Sequence, residues 1–592
     1  MRNRGWVAPA VAGLVVAAYV AAFRRFGLYD LADEGLLLTQ AARAAAGERP
    51  YLDFHTGYGP LYFGLQAALV RAGGLEAIRG TLAIVHGVTA AFLFSVARTL
   101  GGPALAVAAV ALQVAFFLPL APGSGAPFNV PYPAWYAGLG GVLIALLVAR
   151  GATRLAMLAL AGAVAGAVFA MKPNSGALLA AGAAVASVVT GTGSRHGRLV
   201  AGAVVLLALL VVVLLVVPTG ASGVALVLVA PVAVLAWRGR DLFAGDRASG
   251  TRLAALGAGF LAVLVPALGP TIATLGPTRF AHEVLHLGTG VADLFLLPIG
   301  WPAIAATLLG LATIAAGTPR AGVLVGVVLL ASVVASATLD APCAVQAARL
   351  GAERAAMAAV PLVLLGGIAL LAHDVRIAPV LAVAVLGVPQ LYPRPDFDHL
   401  MSLAPVVLPL AMLLGRAAMM HLGVGTARAT AATVAVALVL AAGRLLPSGP
   451  ALVAVVGGGA AAVELPVGQL VALPQGLERL EAIAAAAWEV SASTPSGERV
   501  LAFPACAAIP FLAGRLPAGP HDYFYPGRPT REEVAALAAR LRATPPPTAV
   551  TCEAPGRLAG AWESYPELVR LLGERYRVVL ERSAVSVRRR ID

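Results

Sequence analysis

From residue 7 to residue 446 the chain alternates long apolar blocks with short polar breaks, and the blocks are long enough for about 20 residues of helix to cross a bilayer core. Blocks of this kind fall at 7–23, 78–97, 102–121, 134–149, 155–171, 176–191, 199–217, 221–237, 253–275, 296–317, 321–338, 355–372, 377–392, 400–415 and 430–446. The pattern predicts a mostly α, polytopic helical membrane protein of about 13–15 spans. Two further periodic stretches are too short or too polar to span. "DEGLLLTQAARAAAG" (33–47) ends at Gly47, and "GPLYFGLQAALVRAGG" (59–74) opens behind Pro60 and ends at Gly73-Gly74. Both read as amphipathic helices lying in the membrane interface within a first loop spanning 24–77.

After residue 446 the period changes. "GLERLEAIAAAAWEVSAS" reads as a helix, "GERVLAFP" as a buried strand, "TREEVAALAARLRATPPP" as a helix, "TAVTCEA" as a strand and "YRVVLERSAVSVRRR" as a terminal strand pair. Alternating strands and helices predict a small α/β domain over 447–592, following a transmembrane unit over 1–446.

Composition sharpens this picture in two ways. Of the 592 residues 59% are hydrophobic and only 12% charged, so a soluble fold is excluded. The net charge of +13 does not point to nucleic acid. The arginines flank the apolar blocks, in "MRNRGW", "RGATR", "SRHGR", "RGRDLFAGDRASGTR", "TPR" and "HDVR" and from Arg416 to Arg428, all on one side if the spans alternate. The positive-inside rule then makes that side and the N-terminus cytoplasmic, in a multi-pass protein of the cell membrane. The loop 24–77, several later loops and the C-terminal domain lie opposite, outside the cytoplasm. Cys343, Cys506 and Cys552 show no metal-ligand spacing, and the last two pair only if the fold brings them together.

The first loop is where charge concentrates in this apolar chain: residues 29–60 hold seven acidic or basic side chains. Asp33 and Glu34 open a helix, where free amides and the dipole favour negative charge, and a capping role alone would account for Asp33. Following these residues, "ARAAAGERPYLDF" and a second interfacial helix opening at a proline resemble the first extracytoplasmic loop of the GT-C membrane glycosyltransferases. The nearest likeness is to the bacterial protein O-mannosyltransferase and aminoarabinose transferase-like family. The resemblance covers about residues 1–446, and a comparable outer tail with a strand and a Gly-Arg turn is matched here by Val500, Leu501, Pro504, Gly514 and Arg515.

The resemblance implies an enzyme that moves a sugar, a hexosyl or pentosyl unit, from a polyprenyl-phosphate donor to an acceptor hydroxyl on the extracytoplasmic face, with inversion. Asp33 is the carry-over position for the catalytic base and Glu34 its partner. A carboxylate within reach of the acceptor can take its proton. A departing phosphate needs cations rather than a second acid. Lys172, the only lysine, in "MKPNSG" at the outer end of a span, is the leading phosphate-binding candidate, joined by Asn174, Arg79 and Arg394. Asp53, His55 and Tyr58 in "YLDFHTGY" and Asp396, Asp398 and His399 in "YPRPDFDHL" are candidates for binding the substrates, with turn formation the competing role for Asp53 and His55.

No cofactor is assigned and metal dependence stays open: a divalent ion is one use for His399 beside its acids, and another for His282, Glu283 and His286. His86 and Gln113 lie inside apolar blocks and read as core polar groups. The expected partners are the lipid-linked donor, the bilayer, and an acceptor glycan, lipid or protein. The alternative is a polytopic transporter or flippase of lipid-linked sugars; that would place ionisable groups inside the spans and broken helices in matched halves.

Overall fold

A computed structural model of the chain describes residues 5–118, 125–151, 154–189, 222–242, 249–286, 301–316, 344–371, 374–391, 397–445, 448–553 and 560–591, together with residues 202 and 206. Among these, six helices are long and apolar enough to cross a membrane: Pro60–Gly101, Pro133–Gly151, Ser249–Leu275, Arg354–Leu371, Ala404–His421 and Thr426–Leu445. Shorter apolar helices, including Val7–Ala22, Pro103–Phe117 and Leu155–Met171, fill out the bundle. The chain is a multi-pass membrane protein, mostly helical, with a small sheet domain at its C-terminal end. Most of the span 199–217 and all of 321–338 fall outside the described residues, as do Cys343, Arg394 and Asp396.

Proline punctuates the bundle. Pro60, Pro103, Pro133 and Pro173 each open a helix, where a missing N–H costs nothing. These helices are α3 (Pro60–Gly101), α4 (Pro103–Phe117), α5 (Pro133–Gly151) and α7 (Pro173–Val189), preceded by α1 (Val7–Ala22) and α2 (Asp33–Ala45); α6 (Leu155–Met171) lies between α5 and α7. The glycine pair expected to end the second interfacial helix instead makes a break inside α3: Gly74 takes φ +61°, so the 60–72 arm and the membrane arm after it run on as two differently directed pieces. Small residues let the spans touch backbone to backbone. A Cβ on Gly13 would sit 2.8 Å from the Gly87 carbonyl oxygen, closing α1 on α3. Likewise, a Cβ on Gly162 would sit 1.9 Å from that of Leu256, closing α6 on α8 (Ser249–Leu275). The block expected at 377–392 forms α9 (Ala378–Gly387) and a short 3-10 turn, buried throughout, so its apolarity serves the bundle interior.

The sheet domain holds a hairpin, β1 (Ala461–Leu465) and β2 (Gly468–Ala472), and a five-stranded sheet in the order β4-β3-β5-β7-β6. Its strands are β3 (Arg499–Phe503), β4 (Leu516–Pro517), β5 (Thr548–Cys552), β6 (Tyr576–Arg582) and β7 (Val585–Arg590). The β4-β3-β5 part is parallel, and the terminal pair runs antiparallel, as the sequence pattern required. Helices α10 (Pro474–Ser493), α11 (Ala508–Leu512) and α12 (Arg531–Ala543) cover it, the last opened by a capping box of Thr530 and Glu533. Cys506 and Cys552 form a disulfide, joining the turn after β3 to the end of β5.

The first loop and the sheet domain join closely. The α2 helix is covered on both sides: Glu34, Gly35, Leu37, Leu38, Thr39, Gln40, Ala41 and Arg43 are all buried. Leu28, Leu38 and Ile78 belong to the same apolar core as Leu480, Ile509, Leu512 and Val550 of the sheet domain. The chain leaving α1 bridges the hairpin at Phe26, with Gly27 N donating to the Val471 carbonyl (2.9 Å) and Val471 N to that of Arg25 (2.7 Å).

Gly35 is the tightest point of the joint, since a Cβ there would lie 2.4 Å from the backbone nitrogen of Ala508. We expect Gly35→Val to lift the sheet domain from α2 while leaving both parts folded. Limited proteolysis should then release the 449–591 region faster than in the parent, and unchanged protection would refute the close contact.

Candidate functional site

The loop between α1 and α2 is built around Arg79, fully buried just after the bend in α3. Its guanidinium donates to the carbonyls of Arg24 (3.0 Å) and Gly27 (2.7 Å) and pairs with Glu34 Oε1 at 2.6 Å, also fully buried. Glu34 Oε2 accepts from the Tyr29 amide at 2.7 Å. These carbonyls follow the end of α1, where a helix leaves acceptors unsatisfied, and Arg79 satisfies them. The sequence placed Arg79 on a phosphate and Glu34 in the chemistry; the structure spends both on holding the loop.

Asp33 is left in a different state. It is the first residue of α2, yet Asp30 supplies the cap, its Oδ1 accepting the Glu34 amide at 3.1 Å. The Asp33 carboxylate is half-buried, and its Oδ2 accepts a hydrogen bond from the Tyr132 hydroxyl at 3.1 Å. Asp30 was not singled out in the sequence, although its place three residues before Asp33 is a capping spacing. Burial, then the charge of Asp33, pushes the Asp30 carboxyl up to about 7. The Asp30 carboxyl so placed retains a proton near neutrality.

From Asp33 a line of contacts leads to Lys172. Tyr132 follows Pro131, whose carbonyl accepts from the Tyr62 hydroxyl (2.7 Å), and the Tyr62 ring lies 5.7 Å from that of Tyr58. The adjoining Gly59 amide donates to the Met171 carbonyl at 2.8 Å, next to Lys172. A Cβ on Gly59 would stand 2.0 Å from the Ala170 oxygen, so the loop can press on the α6–α7 junction only with glycine there. Lys172 caps α6, and its ammonium has no hydrogen-bond or ion-pair partner among the described residues. Asn174 is exposed, with Oδ1 turned to its neighbour's amide, Ser175 N (2.8 Å). Asp33 with Tyr132 forms one rim, and these contacts run from it to the backbone beside Lys172.

The sheet domain roofs this rim. Arg43 of α2, 1% exposed, pairs with Asp522 Oδ1 at 2.7 Å and with Glu48 Oε2 at 2.6 Å, and donates to the carbonyls of Gly519 and Asp53. Burial raises the Asp522 carboxyl despite that guanidinium. Beyond Asp522, the rings of Tyr523 and Tyr525 lie 4.2 Å apart, tilted by 39°, and both pack against Ala505, as does Ala32, directly before Asp33. Burial, Tyr525 and the charges of Asp33 and Asp30 all push the Tyr523 hydroxyl far up. None of these tail residues carries a motif, and only the fold brings them to Asp33.

The remaining expectations scatter. The Asp53 carboxylate closes the 49–53 turn, accepting the Arg49 amide at 2.7 Å, which holds it below its usual range. This is the turn-forming role. His55 lies apart from the Asp33 rim, stacked on His521 of the sheet domain at 4.6 Å. His399 is half-buried in the short turn Phe397–Leu400; the side chain of Asp398 beside it, like Arg394 and Asp396, is outside the described residues. Glu283 follows α8 in the single π-turn Ala281–His286 with His282, and the side chain of His286 is not described. His86 is a core polar group, its Nε2 3.2 Å from the Phe128 carbonyl.

No family model matches the chain, and no curated protein matches it. Solved structures with a similar fold include ArnT from Cupriavidus metallidurans bound to undecaprenyl phosphate, with 14% identity, a TM-score of 0.40 and coverage of 99% of this chain and 98% of that one. The apo state of that protein gives 14% identity, a TM-score of 0.38 and the same coverage of 99% and 98%. The oligosaccharyltransferase of Archaeoglobus fulgidus, tethered to an acceptor peptide with an NVT sequon, gives 12% identity and a TM-score of 0.40 over 97% of this chain and 72% of that one.

Asp30 also gives a test by pH. Its folded pKa of about 7 lies above the ordinary carboxyl value of 3.8, so the protonated form favours the fold. That stability is full at acid pH and lost as pH rises through about 7. Asparagine keeps the cap without ionising. We expect the melting temperature of the parent to fall from pH 5 to pH 8 relative to that of Asp30→Asn, and parallel curves would disprove the buried acid.

Proposed function

We propose that the chain is a membrane glycosyltransferase that passes a sugar from a polyprenyl-phosphate donor to an acceptor hydroxyl, with Asp33 as general base. The observation that carries this reading is the division of labour in the first loop. Asp30 caps α2 and Arg79 neutralises Glu34, which among the described residues leaves the Asp33 carboxylate to the Tyr132 hydroxyl, while Lys172 has no described partner for its charge. In the reaction the acceptor oxygen attacks the anomeric carbon as the carbon–oxygen bond to phosphate breaks. The acceptor proton goes to Asp33, and the bond's electron pair leaves on the phosphate. One displacement inverts the anomeric centre. Lys172 meets the charge on the departing phosphate, Asn174 adds a donor, and the phosphate needs no proton to leave. Tyr132 orients the base, and protonated Asp30 spares Asp33 a second negative neighbour.

The sheet domain acts as the acceptor-side wall, its Tyr523 and Tyr525 offering aromatic faces of the kind that bury the apolar face of a sugar. The disulfide of Cys506 and Cys552 supports an oxidising, extracytoplasmic setting for this side. The transporter alternative receives less support. Among the described residues, buried charged side chains are Glu34, Arg43, Arg79, Arg252, Glu283 and Asp522, and all but Arg252 belong to the first loop, the bend beneath it, the turn after α8 or the sheet domain.

Reconstituted protein assayed with a panel of polyprenyl-phosphate sugars tests the reading. We expect Asp33→Asn to lower turnover about 100- to 10,000-fold, the usual contribution of a positioned base, while donor binding is kept. Lys172→Met should instead lower kcat/KM about 10- to 100-fold, the loss of one charged hydrogen bond. Full activity in Asp33→Asn would remove the base, and transport without transfer in the parent would favour the alternative.

A further inference from the structure

Away from the Asp33 rim, a second polar cluster lies where the first loop meets the sheet domain, and the reaction proposed above makes no use of it. His55 comes from the loop between α2 and α3, His521 from the segment before α12, and Glu533 from the first turn of α12. One ligand atom from each lies within 4.8 Å of the other two. We infer that these three side chains bind one divalent cation of the zinc class, clasping the sheet domain to the first loop.

Three observations carry the assignment. The two imidazoles face each other at 4.6 Å, 5° from parallel, an arrangement that repels if both are protonated and suits two neutral rings. Glu533 gives Oε2 to the Thr530 amide at 2.8 Å in the capping box, which leaves its other oxygen for a metal. The third observation is independent of the cluster. Glu283, 8% exposed, carries an Oε2 that finds no hydrogen-bond partner, and it stands 3.5 Å from His55 Nδ1. A buried carboxylate behind one imidazole nitrogen is how metal-binding histidines are oriented, because the second nitrogen then faces the ion with raised basicity.

Two nitrogens and one carboxylate oxygen suit zinc better than calcium or magnesium, which favour oxygen alone, and a water completes the tetrahedron. Ligand atoms about 2.0–2.2 Å from zinc stand roughly 3.3–3.6 Å from one another, so binding would draw the cluster together by about 1 Å. Since His55 N also donates to the Pro520 carbonyl at 3.0 Å, both backbones are already in register for that contraction.

The test is calorimetric titration of zinc chloride into the full-length protein, purified in detergent and stripped with a chelator, with cobalt absorption as a second readout of ligand geometry. One zinc per chain should bind and raise the melting temperature. His521→Ala and Glu533→Gln should each weaken binding more than about 100-fold, and Glu283→Gln about 10- to 100-fold. Glutamine at 533 preserves the capping box, so that variant decides the matter should His521→Ala fail to fold. Absence of zinc binding in the parent, or parental affinity in Glu533→Gln, would overturn the assignment. Loss of sugar transfer does not enter, so the site stands or falls apart from the proposed reaction.

Discussion

The arrangement around Asp33 depends on one buried ion pair. Arg79 and Glu34 are fully enclosed, and charges so placed survive only because the guanidinium also meets backbone carbonyls and the carboxylate also meets an amide. The pair fastens the start of α2 to the bend in α3 and closes the exposed end of α1. It fixes the start of α2, and Tyr132, just before α5, meets the Asp33 carboxylate there. Replacing either charge alone would strand the other where water cannot reach it.

A second layer of the same logic joins the two parts of the molecule. Arg43 reaches from α2 into Asp522, and the apolar side chains beside it enter the sheet domain's core. The first loop is thus a middle layer, with membrane helices beneath and a sheet domain above. In the proposed reaction a donor carried in lipid and an acceptor arriving from water would approach such a layer from opposite sides, with Asp33 at its edge.

Much of this could be read from the order of residues. The long apolar blocks fixed the helices because a bilayer imposes a length, and Pro60 marked where α3 began. The tail's strands at 499–503 and 548–552 followed from continuous apolar runs between turn residues. The β1–β2 hairpin escaped notice, although "AVELPVGQLVA" alternates about a Pro-Val-Gly turn, because its small apolar residues blend with the preceding glycines. At the site, Asp33 and Lys172 stood out by charge in an apolar chain. The fate of Arg79 could not, since a lone arginine near a span end suits an anion and a set of orphan carbonyls equally well. Asp522, Tyr523 and His521 were beyond reach for a plainer reason: their partners Arg43, Ala32 and His55 lie hundreds of positions earlier, and no local period records such pairings.

That separation shapes how the molecule comes into being. Thr39 Oγ1 donates to the Ala507 carbonyl, a partner 468 positions downstream, and Gly27 is held by Val471. On a ribosome adding about 5–20 residues per second, the N-terminal loop waits roughly half a minute to a minute and a half before the segment that covers it exists. During that interval Leu28, Leu38 and Ile78 have no sheet domain to enter, and the nascent protein offers them to the lipid surface or to a chaperone instead. Biogenesis therefore ends at the centre: the last part synthesised seals the first.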